Sequence, residues 1–169
     1  PTHICGFFIS KIMYYTQTMK GYFKNKKITV MGLGILGRGV GDVEFLAQNG
    51  ADLIVTDLKT KKQLKVSLDR LRKFKNIKYV LGKHRLEDFR NRDMVLKAAG
   101  VPLDSPYIKE AKKNKIPVEM SAALVARLTD AKIIGITGTR GKSTVTQMIY
   151  EILQQGRSLL KYKIFLGGN

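Results

Sequence analysis

The sequence predicts an α/β fold, with a parallel sheet carrying helices on both faces. Two observations lead there. From Lys26 onward, short apolar runs alternate with longer stretches whose apolar residues recur at helical spacing. Two of the short runs also feed directly into glycine-rich turns that open helices. Strand and helix in strict alternation build parallel sheets, because each crossover lays a helix over one face.

The elements follow in order. Lys27 to Met31 reads as a buried strand, Gly32 to Gly37 as a tight turn, and Leu36 to Asn49 as a helix with Val40, Val43, Leu46 and Ala47 on one side and Gly50 past its end. Ala51 to Thr56 is a second strand, closed by Asp57. Leu64, Leu68 and Leu71 set a helix over Lys61 to Phe74, and Ile77, Tyr79 and Leu81 alternate as a third strand. Asp93 to Leu96 is a fourth strand. Ser105 and Pro106 cap and start a helix running to Asn114, Ile116 to Glu119 is a fifth strand, and Ala122 to Leu128 a short helix.

A second unit opens near Asp130. Lys132 to Ile136 reads as a strand, Thr137 to Gly141 as a glycine loop, and Lys142 to Gln154 as a helix with Val145, Met148, Ile149 and Ile152 on its apolar face. Ile164 to Leu166 is a last strand. One strand–helix–strand unit cannot bury a core of its own, so the second domain is expected to be cut short. The division expected is residues 1–20 as a tail, 21–129 as the first domain and 130–169 as the start of the second.

Composition narrows the function classes. A chain of 169 residues with 44% hydrophobic and 26% charged residues suits a globular protein. No apolar run reaches the roughly 18–20 residues of a membrane span, and Ile4 to Ile12, interrupted by Ser10 and Lys11, lacks the flanks of a signal peptide. The expected setting is cytoplasmic, with no membrane partner. Cys5 is the one cysteine, which excludes an internal disulfide. The net charge of +18 raises the possibility of a nucleic-acid partner. The basic residues are spread over several helices without interleaved aromatics for base stacking, so no nucleic acid is expected and an anionic nucleotide is the better match. His3 and His84 have no metal-ligand company in sequence and read as surface residues.

Two glycine loops carry the chemistry. Gly32-Leu33-Gly34-Ile35-Leu36-Gly37 is a G-x-G-x-x-G between strand and helix, with Asp57 twenty residues beyond its last glycine. The first glycine permits the tight turn, the second lets backbone approach a phosphate, and the third allows close helix packing, while the helix start favours an anion. Asp57 would accept hydrogen bonds from a sugar or base. By itself this points to a Rossmann-like domain for a dinucleotide such as NAD, or for any nucleotide with a diphosphate. In the second loop, Gly138-Thr139-Arg140-Gly141-Lys142-Ser143-Thr144, successive amides can form an anion nest for ATP. Lys142 would neutralise the β- and γ-phosphates and Ser143 would ligate Mg2+. A strict P-loop asks for glycine at position 136, where this chain has Ile136.

The run Ile136-Thr137-Gly138-Thr139-Arg140-Gly141-Lys142-Ser143-Thr144 after a strand resembles the ATP loop of the Mur ligase family. Val30-Met31-Gly32-Leu33-Gly34, Val55-Thr56-Asp57-Leu58-Lys59, Ala99-Gly100-Val101-Pro102 with Ser105-Pro106, and Ile116-Pro117-Val118-Glu119 resemble its MurD branch; the closing Gly167-Gly168-Asn169 resembles the start of a family segment. Ala98-Ala99-Gly100 departs from the Ser-Pro-Gly frequent there. The resemblance implies a Rossmann-like sheet domain followed by the truncated start of a P-loop ATPase domain. It reassigns the first loop to the uridine diphosphate of a substrate, with Gly34, Ile35, Leu36 and Gly37 at the diphosphate, Asp57, Leu58 and Lys59 at the uridine side, and Asn169 at the muramoyl portion.

The implied activity is ATP-dependent joining of D-glutamate to UDP-N-acetylmuramoyl-L-alanine through an acyl phosphate, with Lys142 as the catalytic cation and a monomeric enzyme expected. Other family groups would lie beyond Asn169: a magnesium-binding glutamate, a histidine, a carbamylated lysine and the D-glutamate domain. An NAD-dependent oxidoreductase built on the first loop is the rival reading, and it leaves Lys142 and its loop without a purpose. A folylpolyglutamate synthase would share the second loop without the first.

Overall fold

The computed structural model describes residues 21–35, 38–156 and 164–167. Five strands form one parallel sheet: β1 (Lys27–Met31), β2 (Asp52–Asp57), β3 (Ile77–Leu81), β4 (Met94–Lys97) and β5 (Val118–Glu119), in the spatial order β3-β2-β1-β4-β5. Among the described residues the helices are α1 (Arg38–Gln48), α2 (Lys65–Leu71), α3 (Pro106–Lys113), α4 (Ser121–Leu128) and α5 (Lys142–Gln155), with a 3-10 turn at Leu86–Phe89. The order reverses at β1, whose neighbours are β2 on one side and β4 on the other. This is the Rossmann-type arrangement, and the reversal leaves a crevice outside the carboxyl ends of β1 and β4.

Alternation along the strands sorts the side chains onto two faces. Ile28, Val30, Leu53, Val55, Met94 and Leu96 meet Val40, Val43, Leu46 and Ala47 of α1, Leu71 of α2 and Leu124 and Val125 of α4 in the larger core. Met31 and Val95 point the other way, against Phe89, Ile108, Ala111 and Ile116. Helices therefore cover both faces, as the alternation of elements predicts. Helix α1 closes with Ala51 N–H donating to Leu46 O and Gly50 N–H to Ala47 O, both 3.1 Å, around Gly50 at φ +80°. This paired closure at a left-handed glycine satisfies the last carbonyls of the helix.

Several boundaries differ from the sequence expectation. The helix expected over Lys61 to Phe74 spans only Lys65–Leu71, because residues 61–64 form a turn in which Thr60 N–H donates to the Gln63 side chain at 2.9 Å. The fourth strand is shifted by one residue and takes in Lys97. The fifth pairs only at Val118 and Glu119: Pro117 has no N–H to give, although its carbonyl accepts from Val95 N–H at 2.9 Å.

The strand expected at Lys132 to Ile136 is not formed. Ile133 and Ile134 are 57% and 60% exposed, and among the described residues no neighbouring strand offers them a ladder. Ile164 to Leu166 likewise forms no strand, though Phe165 packs against the larger core. Among the described residues, no helix is long and apolar enough to cross a membrane.

The first turn of α1 lies directly on the loop that precedes it. A Cβ at Gly39 would sit 2.3 Å from Leu33 O and 2.8 Å from Gly32 O, both backbone atoms that cannot swing away. Gly39→Ala is therefore expected to destabilise by about 1–3 kcal/mol, the usual range for overpacking. Gly100→Ala, which meets open space at ordinary φ, should be close to neutral. Thermal unfolding of the two variants beside the parent checks this, and equal midpoints would refute the clash.

Candidate functional site

The carboxyl edge of the sheet at β1 and β2, on one side of the crevice, is assembled from backbone first. Gly32 N–H donates to Thr56 O at 2.8 Å, carrying the β1–β2 ladder one step beyond Met31. Gly32 then turns at φ +95°, and a Cβ there would come within 2.8 Å of the Ala98 Cβ, so glycine is required twice over. Gly34 follows at φ +66°. Its N–H donates to Asp57 Oδ2 at 2.9 Å, and its carbonyl accepts from Ser67 Oγ at 3.1 Å.

Asp57 is the hub of this arrangement. It ends β2, is 4% exposed, and its second oxygen accepts from Lys59 N–H at 2.8 Å. One carboxylate thus ties the loop after β1 to the loop after β2. Gly82 N–H then donates to Asp57 O at 2.8 Å and Lys59 O at 3.0 Å, so the loop after β3 closes over both. Ile35 and Leu58 stand out from these turns, 61% and 66% exposed. Of the residues expected at the uridine diphosphate, Gly34, Ile35, Asp57, Leu58 and Lys59 therefore share one end of the sheet. Leu36, Gly37 and Asn169 lie outside the described residues.

His84 is not the surface residue that sequence reasoning expects. The loop after β3 folds back and half-buries the ring, whose Nδ1 lies 2.9 Å from the Oγ1 of fully buried Thr56. Tyr107 meets it edge-on with centroids 5.0 Å apart. Loss of water holds the imidazole below its ordinary range, against the opposing pull of the Asp57 and Asp88 carboxylates. Lys97, the last residue of β4, was also outside the sequence reading. It is 6% exposed, and its Nζ donates to Val101 O at 2.9 Å and Ala98 O at 3.3 Å. A lysine closing the buried run Met94-Val95-Leu96 was the available signal, as Gly39 two residues past Gly37 was for close packing of α1.

The second glycine loop is separate and open. Gly138 and Gly141 take φ +150° and +76°, and Gly141 is the residue before α5. Lys142 Nζ reaches back across the loop to donate to Gly138 O at 2.6 Å. Gly138, Thr139, Arg140, Gly141, Lys142, Ser143 and Thr144 are all exposed, and no residue of α5 is buried. Among the described residues, no group of three or more His, Cys, Asp and Glu could hold a metal ion.

Residues 26–119 match the family model described as Mur ligase MurD-like, N-terminal domain. The chain belongs to this family. It is 41% identical over 148 residues to the UDP-N-acetylmuramoylalanine--D-glutamate ligase of Borreliella burgdorferi (strain ZS7), a match covering 86% of this chain and 31% of the relative. Proteins of the same name from Roseiflexus sp. (strain RS-1) and Treponema pallidum (strain Nichols) are 41% and 36% identical over 77% and 90% of this chain, and 28% of each relative. The chain spans under a third of the length of these curated relatives. The matched segment of the MurD-like domain runs from the start of β1 to the end of β5, and so contains the Gly32–Gly34 turn, Asp57, His84 and Lys97.

The depressed His84 titration has a consequence for stability. The unfolded chain takes up a proton near the ordinary histidine value of about 6.5, before the folded chain does, so stability falls as pH is lowered through that range. The thermal midpoint is expected to drop between about pH 8 and pH 5.5, and His84→Gln to drop less over the same interval. Equal drops in the two proteins would show that His84 does not contribute.

Proposed function

We propose that this chain is the front part of an ATP-dependent ligase that joins D-glutamate to UDP-N-acetylmuramoyl-L-alanine in peptidoglycan precursor synthesis. The observation that carries the reading is the pairing of a MurD-like amino-terminal domain with a second glycine loop that follows it in the same chain. The names of the relatives supply the substrates; the geometry supports the division of labour. On this reading residues 130–169 begin the ATP-binding domain, and the rest of the catalytic apparatus belongs to sequence beyond this segment.

The Gly32–Gly34 turn would take the uridine diphosphate. Its two positive-φ glycines turn the chain tightly at the end of β1, their own N–H groups held by Thr56 O and Asp57, and the start of α1 follows, where an anion is favoured. Asp57 would act mainly by holding Gly34 and Lys59 in place, leaving Ile35, Leu58 and the Lys59 side chain to face the nucleotide. Leu36 and Gly37 would complete the diphosphate cradle, with Asn169 at the muramoyl end.

The residues 138–144 fit ATP. Glycines at positive φ open the loop, and the Lys142 ammonium already lies over it on a carbonyl oxygen, from which a phosphate could draw it. Ser143 fits Mg2+ as one hydroxyl ligand, the other oxygens coming from the nucleotide; the metal would offset charge on the β- and γ-phosphates. Phosphoryl transfer to the alanyl carboxylate would give an acyl phosphate. Attack by the D-glutamate amine then forms the amide and releases phosphate. Lys142 and the loop amides would stabilise the charge gathering on the bridging oxygen.

Titration calorimetry of this chain with UDP, NAD and ATP tests the reading. UDP is expected to bind and NAD not; tight NAD binding without UDP would replace the ligase with an oxidoreductase. Lys142→Ala should weaken ATP at least about tenfold, the loss of a charge-assisted contact, and leave UDP unchanged. The chain by itself should turn over no D-glutamate.

A further inference from the structure

Across the carboxyl edge of the sheet, Val80, Thr56, Met31 and Lys97 stand in one register row: Thr56 pairs with Val80 and Met31, and Met31 with Lys97. Residues level with one another in a parallel sheet project to the same side. Lys97 therefore projects to the face opposite α1, at the end of the strand that flanks the glycine loop. Its Nζ contacts are two neutral carbonyls, Ala98 O and Val101 O. No ion pair among the described residues includes it.

A buried cation without a counter-charge is costly, and natural proteins remove the cost by pairing it. An ammonium has three N–H donors, and two are used here. The turn that takes those two is the one packed on the glycine loop. Ala98 N–H donates to Met31 O at 2.8 Å, Val101 N–H closes the turn on Ala98 O at 3.1 Å, and the Ala98 Cβ fills the space that Gly32 leaves open. Lys97, the 98–101 turn and the Gly32–Gly34 turn are one packed unit at the point where the strand order reverses.

We propose that Lys97 is a built-in cation of the nucleotide site, giving its remaining N–H and its positive charge to a phosphoryl oxygen of the bound nucleoside diphosphate. This rests on the reading of the first loop as a uridine-diphosphate site. It identifies the counter-charge that the fold withholds: the ligand supplies it. The sequence carries no acidic residue in the run from Met94 to Leu103 that could pair with Lys97 locally.

Calorimetry with UDP and with uridine on Lys97→Met tests the assignment, because the two ligands differ only in the phosphates. UDP affinity is expected to fall about tenfold or more, as for one lost charge-assisted hydrogen bond, while uridine affinity is unchanged. The dependence of UDP binding on salt should become shallower. Lys97→Gln retains a donor for the two carbonyls and drops the charge; it should reproduce the selective loss, and it serves in place of Lys97→Met if that variant does not fold.

Equal weakening of UDP and uridine, or no weakening, would reduce Lys97 to a clasp for the 98–101 turn and overturn the proposal. Absence of UDP binding by the parent chain would instead remove the substrate reading, and this assignment with it.

Discussion

The Asp57 carboxylate accepts one N–H from Gly34 and another from Lys59, across a gap that no covalent bond spans. Parallel strands deliver their chain ends to the same edge of a sheet, where unpaired amides accumulate and loops have no ladder to hold them. A short acidic side chain at the end of β2 resolves this locally. Because the carboxylate is almost fully buried, its two hydrogen bonds act in a medium where charge-assisted contacts are strong and where an unsatisfied amide is expensive. The position of the glycine turn depends on this one group.

The same edge concentrates the remaining polar side chains. Thr56 with His84 on one side and Lys97 on the other bracket Met31, and Tyr107 and Val101 belong to the cover over that face. Toward the amino ends the sheet is held by a different device. Arg92 there donates to Ile28 O at 3.1 Å and Asp52 O at 3.0 Å, joining β1 and β2 from below. Polar contacts at the bottom fasten the strands to each other, and those at the top fasten the loops to one another.

How much of this was legible in the sequence follows from which signals are local. The β1 strand, the turn at Gly32 to Gly34 and the presence of α1 after it could be read because periodicity and positive-φ glycines are written within a few residues. The end of β2 at Asp57 was legible for the same reason, but the partners of its carboxylate were not: Gly34 lies 23 residues away and meets it only after the strands pair. His84 escaped because its burial is produced by a loop folding over Thr56, and Lys97 because an apolar run was expected to end before a charge. Lys132 to Ile136 failed in the opposite sense. Its apolar residues satisfy a strand pattern, yet a strand exists only where a neighbour supplies donors and acceptors.

Helix α5 has no buried residue over its 14 positions, while Val145, Met148 and Ile152 are exposed. Helices of this length are marginal in water when nothing packs against them, since nucleation must be repaid by propagation alone. The amides of α5 should open locally and exchange with solvent long before those of β1 and β4, whose side chains are interlocked on both faces. Among the described residues the loop at 138–144 precedes a helix without a buried side chain, so its order leans on the helix–coil equilibrium of α5 more than on the sheet.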